Sequence, residues 1–227
     1  MSTKNNVANV IFDSVDGNPI IDEDSSFYYV PYYKTREYFS VYENKVKFVK
    51  KVESLVRKHT FYKAYINFIV NVVGIDTCQV LSNIQNEEGP DSVTIEMHHG
   101  PMLTLFDTCM IVLQHLIAED DPMITTFKVA GIVLQEHQLN NVGVTMLSKT
   151  VHQKIHDGES IFLNHKQAFG NTAEFLRKYK LGVDSIYQQN IQNYLDVCKE
   201  HDSFDNGLLE ISEQLTEWGD NHKVLDM

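Results

Sequence analysis

The sequence of 227 residues contains only three cysteines, and they lie far apart. Cys78, Cys109 and Cys198 form no C-x-x-C pair, so their spacing indicates neither a disulfide framework nor a cysteine-rich zinc site. Cysteines used in this way suit a reducing compartment.

Long apolar runs are also missing. No stretch of the chain reaches the roughly 20 residues that a membrane-spanning helix needs, and Met1 to Asn9 lack the apolar segment of a signal peptide. We therefore expect no membrane partner and a cytoplasmic location. The hydrophobic fraction of 43% is ordinary for a soluble globular chain that can bury a core.

Positive charge is scarce, since the formal net charge is −12. This balance argues against a simple nucleic-acid binder, because neutralising phosphates requires lysine and arginine. The charge is uneven, however: residues 34–63 hold nine lysines and arginines against three glutamates. Within this segment Lys47, Lys50 and Lys51 are candidate nucleic-acid contacts, and the alternative is a solvated helix face.

The apolar pattern predicts an α+β fold that is mostly α-helical. We expect strands at 93–95 and 142–147, and helices at about 43–58, 60–73, 76–84, 102–118, 123–138, 148–156, 171 onward, 184–199 and 206–218. The predicted organisation is an acidic and aromatic N-terminal arm (1–42), a basic helical segment (43–88), a core with a helical insertion at 102–138 (89–170) and a helical extension (171–227). The turn signal at 16–19 leaves short strands or a loose arm open for the N-terminus.

Two histidine patterns stand out among the ten histidines, His98-His99 and His152-x-x-x-His156. Helical positions i and i+4 share one face, so His152 and His156 can point both imidazoles at one ion. The first pair ends a predicted strand, where His98 can join the same ion while His99 turns to a neighbouring water. Three neutral imidazoles with open coordination positions are typical of a catalytic metal site rather than a structural one.

These residues, in this order, resemble the HNH (ββα-metal) nuclease family, and most closely the nuclease domains of DNA-cleaving colicins. The matching segments are Glu96-Met97-His98-His99, Asn141-Val142-Gly143-Val144-Thr145, and His152 to Gly158. The resemblance covers about 91–158. It implies a ββα-metal finger embedded in a helical domain, although about 40 residues replace the family's short loop between the histidine pair and the asparagine.

The resemblance also implies a role for each matched residue in hydrolysing a DNA phosphodiester. His98, His152 and His156 would hold one divalent ion, Mg²⁺, Mn²⁺, Ni²⁺ or Zn²⁺, and His99 would be the general base. Glu96 would orient a ligand histidine, and Asn141 would tie the loop to the strand. By proximity, Lys149 or Lys154 would contact the phosphate.

Two other classes of function stay open. The negative charge favours an interaction or structural protein on a nuclease-derived fold, for instance part of a phage particle, acting in a bacterial host cytoplasm. Such a protein would meet its partner through the acidic surface or the 102–138 insertion. The third reading is a non-catalytic zinc-stabilised domain, in which metal binding is coupled to folding.

Overall fold

A computed structural model describes residues 9–12, 19–22, 34–81, 84–85, 93–157 and 161–200, with backbone alone for the first two segments. The described chain is mostly helical and contains two antiparallel two-stranded sheets, which confirms the predicted α+β class. No helix among the described residues is both long and apolar enough to cross a membrane.

The elements follow one another in a helix-rich order. The strands are β1 (Asn9–Phe12), β2 (Pro19–Asp22), β3 (Ile95–His99) and β4 (Val144–Ser148). The helices are α1 (Arg36–Ser40), α2 (Tyr42–Lys58), α3 (Thr60–Phe68), α4 (Leu105–Ala118), α5 (Thr126–Gln138), α6 (Lys149–His156), α7 (Thr172–Lys178) and α8 (Ser185–Glu200). Short 3₁₀ turns lie at His165–Gln167 and Lys180–Gly182, and one π-helical turn at Ile69–Val73 extends α3.

The helical core is organised around α4. Thr104 caps its first turn, and Asp107 returns the contact to the Thr104 backbone, which completes a capping box. Because α4 is apolar on nearly every side, it is buried between α2, α5 and the 3₁₀ turn at 180–182. Residues on both sides of the predicted boundary at residue 88 contribute to this core.

The second structural unit is a β-β-α arrangement. Strand β3 pairs antiparallel with β4, with Ile95 opposite Ser148 and His98 opposite Thr145. Helices α4 and α5 lie in the insertion between the two strands, and α6 begins directly after β4. The Ser148 side chain accepts a hydrogen bond from the Val151 backbone N–H, so the predicted cap at residue 148 starts α6.

Three helix predictions require correction. The segment at 76–84 is not helical in its described part, where Thr77 forms an isolated bridge with Gln85. The Gln79 backbone N–H donates to the Met146 carbonyl and its side-chain amide donates to the Gln167 carbonyl, so tertiary hydrogen bonds replace helical ones. Helices α4 and α5 each begin three residues later than predicted, after the Thr104 and Thr125 caps.

The C-terminal half agrees better with the sequence pattern. Asn171 caps α7, since its side chain accepts from the Glu174 backbone N–H. The predicted helix at 206–218 and Gly158 lie outside the described residues. At the N-terminus, β1 and β2 pair antiparallel. The turn signal at 16–19 lies outside the described residues except for Pro19, the first residue of β2.

Candidate metal centre

Three histidines converge at one end of the β-β-α unit. His98 comes from β3, while His152 and His156 come from successive turns of α6, and one ligand atom of each lies within 4.8 Å of the others. Among the histidine, cysteine, aspartate and glutamate side chains in the described part of the chain, those of this cluster have metal-binding spacing. His98 and His152 are half-buried and His156 is exposed, so the cluster opens to solvent on one side.

The spacing of the two helical histidines fits a small divalent ion. Their Nε2 atoms are 3.0 Å apart. Two nitrogens bound to one tetrahedral zinc ion at the usual Zn–N length lie about 3.3 Å apart. The ring centroid of His98 lies 5.1 Å from that of His152 and 5.6 Å from that of His156. Small rotations of the rings therefore bring all three nitrogens around one ion.

Glu96 fixes the orientation of His152. The Nδ1 atom of His152 lies 2.6 Å from Glu96 Oε2, so Nδ1–H donates to the carboxylate. This contact leaves the Nε2 lone pair of the neutral ring directed at the cluster, because one imidazole nitrogen carries the proton. A carboxylate behind a ligand histidine is the usual outer-shell partner of a metal site. Glu96 therefore contacts His152, and its role behind a bound metal ion stays a prediction.

The electrostatic environment keeps His98 neutral. Burial, together with the nearby His152, His156 and Arg57, lowers the pKa of His98 to about 4. An imidazole binds metal through an unprotonated nitrogen, so a neutral His98 near pH 7 is ready to coordinate.

His99 requires a correction, because the structure places its ring in the core rather than beside the metal ligands. Neighbouring strand residues point to opposite sides of the sheet, and His98 occupies the solvent side. The His99 ring is 5% exposed and stacks on Tyr62 with a centroid distance of 5.8 Å and an interplanar angle of 9°. The His99 ring is thus buried, whereas the three-histidine cluster is open to solvent at His156.

Sequence reasoning missed the partner of His99. The Nδ1–H of His137 donates to the Val133 carbonyl at 2.7 Å, so His137 Nε2 accepts from His99 Nε2–H at 2.9 Å. Burial lowers the pKa of both imidazoles, that of His137 to about 4. The pair therefore ties β3 to α5 as neutral rings. No sequence signal connects two histidines 38 positions apart.

Asn141 is structural, but its partner is Glu136 rather than the histidine pair. Its side-chain amide donates to Glu136 Oε2 at 2.8 Å. The fully buried Glu136 also accepts from the Lys178 ammonium and the Tyr179 hydroxyl. This network joins the end of α5 to α7, and so fixes the loop that leads into β4.

The predicted phosphate contacts lie in two places. Lys149 and Lys154 are on α6, where Lys149 is exposed at the first position and Lys154 is half-buried. The helical period places Lys154 on the side of α6 opposite to His152 and His156. Lys47, Lys50 and Lys51 are exposed on α2. His165 is buried in a 3₁₀ turn and is not part of the three-histidine cluster.

Comparison with known proteins gives one family. A family model described as "Bacteriophage G278-like virion protein" matches residues 1–220. No curated protein and no solved structure matches the chain significantly.

Proposed function

This chain belongs to the bacteriophage G278-like virion protein family, and we propose that it is a virion component in which His98, His152 and His156 hold one divalent metal ion. The observation that carries the proposal is the convergence of the three side chains from β3 and α6 within 4.8 Å, with Glu96 behind one of them. Three nitrogen ligands favour Zn²⁺, Ni²⁺ or Co²⁺ over Mg²⁺, which prefers oxygen.

Metal titration of the full chain tests this proposal. After chelation and dialysis, the protein is expected to take up one Co²⁺ per chain and to develop the visible absorption of a four- or five-coordinate cobalt site. Zn²⁺ should displace the Co²⁺ and raise the midpoint of thermal unfolding, because an ion that binds only the folded state stabilises it. Absence of saturable binding at micromolar Co²⁺ contradicts the proposal.

The same titration distinguishes this site from a zinc-stabilised fold. The helical core around α4 has no part in the cluster, so we expect the metal-free protein to keep its far-UV helix signal. Loss of that signal on chelation would instead support the reading in which metal binding drives folding.

A second candidate function is metal-dependent hydrolysis of a phosphodiester. The observation that favours it is the open side of the cluster: three protein ligands leave at least one coordination position, and His156 is exposed there. The order of the elements, β3, β4 and α6, adds to the resemblance to HNH nucleases. The first strand carries His98 and the helix carries His152 and His156. An ion in the site would supply a Lewis acid for a phosphate oxygen and lower the pKa of a coordinated water to about 7.

Under this second candidate, the buried His99 positions β3 and takes no proton from water. We therefore expect nicking of supercoiled plasmid DNA with added Mn²⁺, Ni²⁺ or Zn²⁺, and a loss of rate of about 100-fold or more in His98→Gln. Gln135→Asn, an exposed position on α5 outside both the cluster and α2, serves as the control. If both variants and the native chain fail to nick the plasmid with every one of these metals, the hydrolytic function is ruled out. The metal titration is independent of this outcome and still tests the metal site.

A further inference from the structure

One face of α2 carries a stripe of five cationic side chains. At 100° per residue these side chains fall within an arc of about 120° on the helix. The members of this basic stripe are Lys47, Lys50, Lys51, Arg57 and Lys58, all of them exposed. The opposite face buries Phe48, Val49, Val52 and Val56. Because the buried face fixes the rotation of the helix, the stripe is held outward along roughly 16 Å of helix.

Few carboxylates neutralise the stripe. Among the described residues, its ion pairing is limited to Arg57 and Glu53, whose nitrogen and oxygen are 3.7 Å apart. No aspartate or glutamate occurs in the sequence from 54 to 75. On a chain of net charge −12, this leaves a concentrated positive surface that attracts a polyanion.

The stripe ends near strand β3. It ends at Arg57 and Lys58, where α2 gives way to α3, and Tyr62 of α3 stacks on His99 of β3. The corner between α2 and α3 therefore lies beside the strand that supplies a metal ligand.

An exposed aromatic ring stands at the same corner. Phe61 is 55% exposed, and its ring centroid lies 5.0 Å from that of His59. Surfaces that bind unpaired nucleic acid combine a basic track for the phosphates with aromatic rings on which bases stack.

We propose that the basic stripe of α2 binds the phosphate backbone of a single nucleic-acid strand, with Phe61 stacking on a base at its end. The inference goes beyond the proposed metal site, because binding of the strand requires no ion.

Fluorescence anisotropy of the full chain with a labelled 20-nucleotide single-stranded DNA, in excess chelator, tests the proposal. The variant Lys50→Gln/Arg57→Gln/Lys58→Gln should bind at least 10-fold more weakly. The slope of log affinity against log salt should fall in magnitude by about 2, since each phosphate contact on a single strand contributes about 0.7. Phe61→Ala should weaken binding and Phe61→Tyr should preserve it.

The control variant Arg177→Gln/Lys180→Gln/Lys199→Gln removes the same charge from exposed positions outside α2. Equal loss of affinity in both triple variants, or displacement of the DNA by polyglutamate of matched charge, would overturn the proposal in favour of a general charge effect. A slope of log affinity against log salt near zero for the native chain would overturn it as well. Because the assay excludes metal, its failure is distinguishable from failure of the metal site.

Discussion

Replacement of His152 by glutamine is expected to weaken Zn²⁺ or Co²⁺ binding by about 1,000-fold or more. The substitution removes a ligand nitrogen and, with it, the ring that Glu96 orients. Loss of an outer-shell partner alone typically costs 10- to 100-fold in metal affinity, so loss of the ligand should cost more. His152 lies on the partly exposed face of α6, and the helix signal of the variant should therefore match that of the native chain. Competition against a chromophoric chelator measures the change.

Two further variants calibrate this result. Glu96→Gln keeps all three ligands and a hydrogen-bond acceptor but removes the negative charge, so we expect a loss of 10- to 100-fold. His59→Asn keeps a side chain that can cap α3 and should leave the affinity unchanged. Full affinity in the His152 variant would show that the ion binds elsewhere.

The pairing of His152 with His156 could be predicted from sequence because it depends on local geometry. Residues 152 and 156 share a helix face by the period of the α-helix alone, and Ser148 marks where that helix begins. The β-branched segment before His98 predicted a strand, although it begins at Ile95 rather than Val93. The pairing of this strand with β4 across two inserted helices has no local signal, and the resemblance to HNH nucleases supplied it.

The position of His99 shows what local reasoning leaves out. Strand alternation states that His98 and His99 point to opposite sides, but it does not state which side is buried. That choice is made by Tyr62 on α3 and His137 on α5, which provide a flat ring and a hydrogen-bond acceptor. Both partners are distant in sequence, and neither lies in a motif.

The helix prediction at 76–84 was wrong for a related reason. Its composition favours a helix, yet Gln79 has hydrogen-bond partners in β4 and in the 3₁₀ turn at 165–167. Buried backbone groups must be paired, and here tertiary partners satisfy them better than a short helix does. By contrast, the basic stripe of α2 needs only the helical period to be recognised once the helix is fixed.

Replacement of Gly170 by alanine is expected to destabilise the protein by about 3 kcal/mol or more. The φ angle of Gly170 is +117°, which L side chains rarely adopt, and an added Cβ would lie 2.2 Å from the Val142 carbonyl oxygen. The clash is with backbone, so it cannot be relieved by a rotamer change. Neighbouring Phe169 exchanges two backbone hydrogen bonds with Val144, and their loss would loosen β4 at its entry.

Gly131→Ala is the matched control for this substitution, and its effect should have the opposite sign. Gly131 is exposed within α5, and an added Cβ meets nothing within 4 Å. Alanine there should stabilise the protein by up to about 1 kcal/mol, because glycine is the poorer helix former. Urea unfolding of both variants measures the difference. Since β4 holds β3 in register and α6 follows it directly, a loosened β4 should also lower the affinity of the three-histidine site, which Gly131→Ala should leave unaltered. Equal stability of the two variants would mean that residues 169–171 do not pack on β4 as described.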